Sequence, residues 1–101
     1  MKYRLEFISE ALEEWQLLDR SIRIQFAKKL EKRLEHPRIV SAKLSGRLKD
    51  CYKIKLDASG YRLVYQIRDS EFLVLVISVG KRDKSAMYEI AKSRMKKAPP
   101  H

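Results

Sequence analysis

Between residues 51 and 79 the hydrophobic pattern repeats with a period of two, which commits the middle of the chain to a sheet. Tyr52, Ile54 and Leu56 share one face of a strand; Cys51, Lys53, Lys55 and Asp57 share the other. Asp57-Ala58-Ser59-Gly60 has the chemistry of a turn. The next strand puts Tyr61, Leu63, Tyr65 and Ile67 on one face and Arg62, Val64, Gln66 and Arg68 on the opposite one. After a polar turn at residues 68–71, residues 72–79 are apolar on both faces, as a strand at the centre of a sheet requires.

The flanking segments change period. Tyr3, Leu5 and Phe7 alternate with charged residues and predict a short N-terminal strand. Ser9 is the expected N-cap of a first helix with Leu12, Trp15 and Leu18 inward, and Ser21 that of a second. In the second, Ile22, Phe26, Leu30 and Leu34 recur every four residues until Pro37 ends the helix, so the two make an antiparallel helical hairpin. Residues 36–49 read as a loop with one apolar pair, Ile39–Val40. Asp83 or Ser85 caps a last helix carrying Met87, Ile90, Ala91 and Met95, and residues 96–101 are expected to fray. A chain of 101 residues holds one domain. The expected class is α+β: residues 1–101 as a single domain, an N-terminal strand and helical hairpin packed on an antiparallel sheet, and a C-terminal helix.

Charge narrows the function. Residues 1–35 carry eight basic and seven acidic side chains, whereas residues 36–101 carry fifteen and six, so nearly all of the net +10 lies in the later part. A polyanion is the natural partner, because Lys and Arg gain by releasing counterions condensed on phosphates; a surface merely kept soluble is the other reading. The longest apolar run has six residues, far short of the ~18 of a membrane helix, and the charged N-terminus is no signal peptide. One cysteine and two histidines exclude the usual Cys/His zinc sites. No metal or cofactor is expected, and the compartment should be reducing, hence cytoplasmic.

The basic residues converge at one end of the sheet. With a four-residue turn at residues 57–60, Lys55 faces Arg62 and Lys53 faces Val64. Like charges directly opposite are unfavourable by ~0.2–1 kcal/mol. The third strand returns antiparallel and brings Arg82, just past Gly80, to the same edge, with Asp57 the nearest carboxylate. Such a face suits binding and cleavage of a phosphodiester; side chains splayed into water would also explain it. If RNA is cut here, the 2′-hydroxyl is the nucleophile on its own phosphate. Lys55 is the base if neighbouring cations push its pKa down from ~10.4. The other cations stabilise the phosphorane, and Arg82 is the candidate donor to the leaving oxygen, although arginine is a poor acid. Lys81 and Arg47 are candidate substrate-binding cations. Tyr88 either stacks on a base or packs in the core; Trp15, Tyr61 and Tyr65 read as core, His36 as solvated, and Cys51 as a strand residue without redox function.

Residues 51–66 (CYKIKLDASGYRLVYQ) and 76–88 (VISVGKRDKSAMY) closely resemble the RelE toxins of bacterial toxin–antitoxin pairs, and the likeness covers nearly the whole chain. The Y-R-L-V-Y stretch marks only the wider RelE/ParE superfamily; Lys53, Lys55, Arg62, Arg82 and Tyr88 together are specific to RelE. The resemblance implies a small microRNase-like fold and a metal-independent endoribonuclease that enters the A site of the 70S ribosome and cuts the mRNA codon there, inhibiting translation. It implies Lys55 as base, Arg82 as acid, Lys53 and Arg62 as transition-state stabilisers, and Tyr88 as the group orienting the message. The implied partners are the ribosome with its rRNA, an acidic RelB-like antitoxin, and operator DNA bound by the toxin–antitoxin complex. A gyrase-targeting or non-catalytic toxin on this scaffold, and a DNA-binding corepressor, are the competing readings.

Overall fold

The computed structural model describes residues 2–44, 46, 48–81 and 83–97. Its elements are β1 (Arg4–Phe7), α1 (Ser9–Gln16), α2 (Arg20–Glu35), β2 (Cys51–Lys55), β3 (Arg62–Arg68), β4 (Leu73–Gly80) and α3 (Lys84–Lys97). The strands form one sheet in the order β1-β4-β3-β2. The class is α+β, but the sheet is mixed: β1 lies in it, parallel to β4, with Leu5 beside Val74 and Phe7 beside Val76. A parallel neighbour needs a long crossover, and α1 and α2 are part of the chain that makes it. The interior position expected for β4 is observed.

Helices cover both faces. On one, Ala11, Leu18, Ile22, Phe26 and Leu30 pack against Ile54, Leu63, Tyr65, Val74, Val76 and Val79. On the other, Ala91 and the half-buried Tyr88 and Met95 of α3 pack with Leu44 and Leu48 against Cys51, Val64, Leu73, Leu75 and Ile77. The 36–49 segment is thus more than a loop with one apolar pair. Lys43 bridges to Tyr52, and the turn at Val40–Ala42 delivers Ala42 to one core and Leu44 to the other, while Val40 stays in water.

Both helix starts differ from expectation. The Ile8 N–H still bonds Val76 O as part of the strand, so Ile8 takes the N-cap position and Ser9 is already helical. Asp19, extended at ψ 149°, takes the N-cap of α2 in place of Ser21. The inward stripe of α1 is Ala11 with Trp15 and, past the helix end, Leu18; Leu12 is 41% exposed, because a helix of two turns presents only one narrow face to β4. At α3, Asp83 Oδ1 accepts the Ala86 N–H at 2.9 Å, the capping expected of it. That helix continues to Lys97, into the stretch expected to fray.

Candidate active site on the open end of the sheet

The β2–β3 register is the one the turn predicts: Lys55 opposite Arg62 and Lys53 opposite Val64. The Leu56 N–H bonds Tyr61 O and the Gly60 N–H bonds Leu56 O, both at 2.8 Å, closing the turn. Gly60 sits at φ +78°, a region that glycine enters without steric cost.

A bulge then sets which β4 residues join this face. Val64 pairs with Ser78 and Tyr65 with Val76, so Ile77 is an extra residue in β4. Alternation slips there: Ile77 and Ser78 both turn toward α3, Val79 returns to the α1 side, and Gly80 lies opposite Arg62. Arg62 therefore has a neighbour with no side chain to cover it.

Burial falls along the strands toward this end. Cys51 and Val64 are closed off beneath α3, Lys53 and Arg62 are half-buried, and Lys55 is exposed. The three cations occupy the part of the sheet that α3 leaves open. Among the described residues no carboxylate lies within ion-pair distance of them. Among the described residues three buried side-chain polar atoms lack a hydrogen-bond partner, Arg62 Nε, Ser78 Oγ and Tyr88 OH, and all belong to residues on the α3 side of the sheet or to α3 itself. Unpaired buried groups cost about 1–3 kcal/mol each, so this is an unusual concentration of unspent hydrogen-bonding capacity. The Tyr88 ring packs half-buried in the α3 core, nearer the packed reading than the stacked one.

Arg82 and Arg47 fall outside the described residues. Lys81 is exposed, with Nζ 5.8 Å from the centroid of the Tyr61 ring. Tyr65 is fully buried as expected, whereas Trp15 and Tyr61 are only partly so.

Supporting residues escaped the sequence reading. Arg33 of α2 donates to Lys53 O at 3.1 Å and to the Tyr65 hydroxyl at 2.9 Å, and that hydroxyl donates to Pro37 O. Burial pushes the Tyr65 hydroxyl pKa up, against the nearby Arg33 charge. The backbone carrying Lys53 is thus held from beneath the sheet. Glu14 and Arg94 form a second support. Arg94 pairs with both Glu14 oxygens at 2.7 and 3.0 Å and donates to Ile77 O, while Glu14 Oε1 accepts the Val79 N–H. Opposite charges beside half-buried apolar residues, Glu14 beside Trp15 and Arg94 beside Met95, were the available signal. Cys51 Sγ lies 3.2 Å from Met95 Sδ, and burial pushes its thiol pKa up to about 12.

Relatives share this architecture. The model for the family described as ParE toxin of type II toxin-antitoxin system, parDE, matches residues 5–86. The mRNA interferase toxin RelE of Escherichia coli (strain K12) is 53% identical over 95 residues, 94% of this chain and 99% of that protein. A free double arginine-to-alanine mutant of E. coli RelE superposes with a TM-score of 0.86 at 52% identity, covering 94% of this chain and 99% of that one. RelE in the intact E. coli RelBE toxin-antitoxin complex gives 0.78 at 54% identity, with 81% and 99% covered. With a family match over most of its length and half of its residues shared with RelE, this chain belongs to the RelE/ParE toxin family of type II toxin–antitoxin systems, on the RelE side of it.

Proposed function

We propose that this chain is a toxin that cleaves mRNA on the ribosome by attack of a 2′-hydroxyl on the adjacent phosphate, so arresting translation. The observation that carries the reading is the cationic end of the sheet: Lys53, Lys55 and Arg62 on one open face, without a carboxylate within reach among the described residues. A phosphate turning into a phosphorane gains negative charge, and preorganised cations stabilise that change. Lys55, the most exposed of the three, takes the 2′ proton; Lys53 and Arg62 hold the phosphate oxygens. Arg82 serves the leaving oxygen, Tyr88 orients the message, and Lys81 and Arg47 bind its backbone. The ribosome supplies the in-line alignment, worth up to ~7–11 kcal/mol. The relative at 53% identity is named an mRNA interferase, and E. coli RelE is known in complex with RelB. An acidic RelB-like antitoxin as partner, operator binding by the pair, and action in the cytoplasm complete the proposal. No described helix is long and apolar enough to cross a membrane.

Primer extension on message in a translation extract tests this. Cuts within A-site codons, present only with ribosomes and absent for Lys55→Ala, are the expected result; that variant should keep its stability within ~0.5 kcal/mol, since Lys55 is exposed. Intact message with damaged DNA would instead favour the gyrase-directed activity of other toxins on this scaffold.

A further inference from the structure

Around the end of the sheet from the cations, a cavity of about 240 Å³ opens to solvent. Leu17, Leu18 and Val79 give it aliphatic walls, the Tyr61 ring a flat aromatic one, and Lys81 a cation at the mouth. Leu17 is 86% exposed, a large apolar side chain standing in water at the rim. Glu14, also in the lining, is already committed to Arg94 and the Val79 N–H. Tyr61 adjoins Arg62 in sequence, and Gly80, opposite Arg62 in the sheet, also lines the cavity. A Cβ built on Gly80 meets nothing within 4 Å, so the space beside that residue is empty.

We propose that this cavity is a nucleobase subsite: it receives the base of an RNA residue flanking the phosphate held by Lys55 and Arg62, stacking it on Tyr61 with Leu17 closing over its edge. The inference rests on the RNA-cleaving reading above and names a binding site for that substrate. Three features select a base over an acidic peptide segment. The aromatic wall offers a π-face, the walls between Tyr61 and the Lys81 mouth are aliphatic, and two lining residues, Tyr61 and Gly80, are the chain neighbour and the strand partner of Arg62. A base and its own phosphate are separated only by the sugar, so the proposal has one nucleotide reach around the end of the sheet at Gly80. Lys81 then meets the next phosphate along the strand.

The test uses the full chain and a pentanucleotide made uncleavable by 2′-deoxy substitution, with 2-aminopurine beside the central phosphate. Stacking on Tyr61 should quench the fluorescence saturably. Tyr61→Phe should keep the quench. Tyr61→Leu and Leu17→Glu should weaken binding about 5- to 100-fold. Leu17→Glu alters an exposed residue and so remains informative if Tyr61→Leu does not fold; on ribosome-bound message it should raise KM with little change in kcat. The proposal is overturned if Leu17→Glu leaves both oligonucleotide affinity and KM at wild-type values. It is overturned equally if an acidic antitoxin-like peptide shifts the NMR signals of Leu17 and Tyr61 while the oligonucleotide leaves them unmoved. Failure of the RNA-cleaving reading is distinct, since the wild-type protein would then leave ribosome-bound message intact.

Discussion

Replacing Arg94 by Met should loosen α3 without unfolding the protein. β1 ends at Phe7, beside Val76, so the edge of β4 beyond that point has no strand against it. Glu14, from the helix over one face, and Arg94, from the helix over the other, meet across this edge and satisfy the Val79 N–H and Ile77 C=O. Met keeps the apolar stem of Arg94 but removes the bidentate pair and orphans Ile77 O. Breaking a fully buried pair on one side costs ~3–5 kcal/mol. Here the side chains remain 16% and 20% exposed, which lowers the expected cost to about 2–4 kcal/mol. A domain of this size holds ~5–15 kcal/mol, so the variant stays folded, with its urea midpoint lower by roughly 1–2 M. Urea unfolding of Glu14→Gln, Arg94→Met and the double variant gives the cycle, and hydrogen exchange along α3 shows where the loss falls. A coupling energy under ~0.5 kcal/mol, or exchange that accelerates uniformly instead of in α3, would refute the clamp.

Cys51, with its thiol pKa pushed up to about 12 beneath α3, should resist alkylation at neutral pH and react many times faster in Arg94→Met, read by mass spectrometry. Its raised pKa favours the protonated fold, so this contribution is complete below the unfolded value of ~8.5 and is lost as pH rises toward 12. Asp69 accepts from Arg38 and from the Tyr3 hydroxyl, and chiefly the Arg38 hydrogen bond holds its carboxyl below the ordinary range. The stability it adds is present above ~3.9 and disappears as pH falls through the depressed folded value, so the difference between wild type and Asp69→Asn should shrink in that window in pH-dependent unfolding. Gly60→Ala should cost about 1 kcal/mol, because φ +78° is strained for any side chain even though the space is empty; Asn at the same position should recover part of that loss.

The parts legible in the sequence were those set by local spacing. The Lys55–Arg62 pairing follows from a turn of four residues and strict alternation on either side, and both survive in the structure. The membership of β4 in the sheet interior was readable from its unbroken apolar run, but the bulge at Ile77 was not. A strand apolar on both faces gives no sign of where its phase slips, and only the opposing strand reveals that Tyr65 meets Val76. The parallel placement of β1 was hidden for a related reason: three alternating residues specify a strand but not its neighbour. Leu44 and Leu48 were missed because a loop that crosses a sheet edge feeds two cores in turn, which no single period describes. Arg33 lies off the Ile22, Phe26, Leu30 and Leu34 stripe of α2, so the spacing gave no sign that it bonds the carbonyl of Lys53.

The bulge joins stability to chemistry. Were β4 regular, with the residues before Ile77 unmoved, Ser78 would turn toward α1 and Val79 would stand on the cationic face beside Arg62. An apolar branched side chain there would cover the guanidinium and narrow the space a phosphate must enter. The extra residue instead sends Val79 into the large core and leaves Gly80 opposite Arg62. It also accompanies the stretch of β4 edge that Glu14 and Arg94 close, so the irregularity that opens the cationic face lies beside the clamp that holds α3 over the rest of the sheet. Deleting Ile77 would give a regular ladder with Ser78, Val79 and Gly80 still opposite Val64, Leu63 and Arg62, so it should cost the clamp its Ile77 carbonyl while leaving the cationic face open, whereas changes at Lys53 or Lys55 touch the cationic end alone.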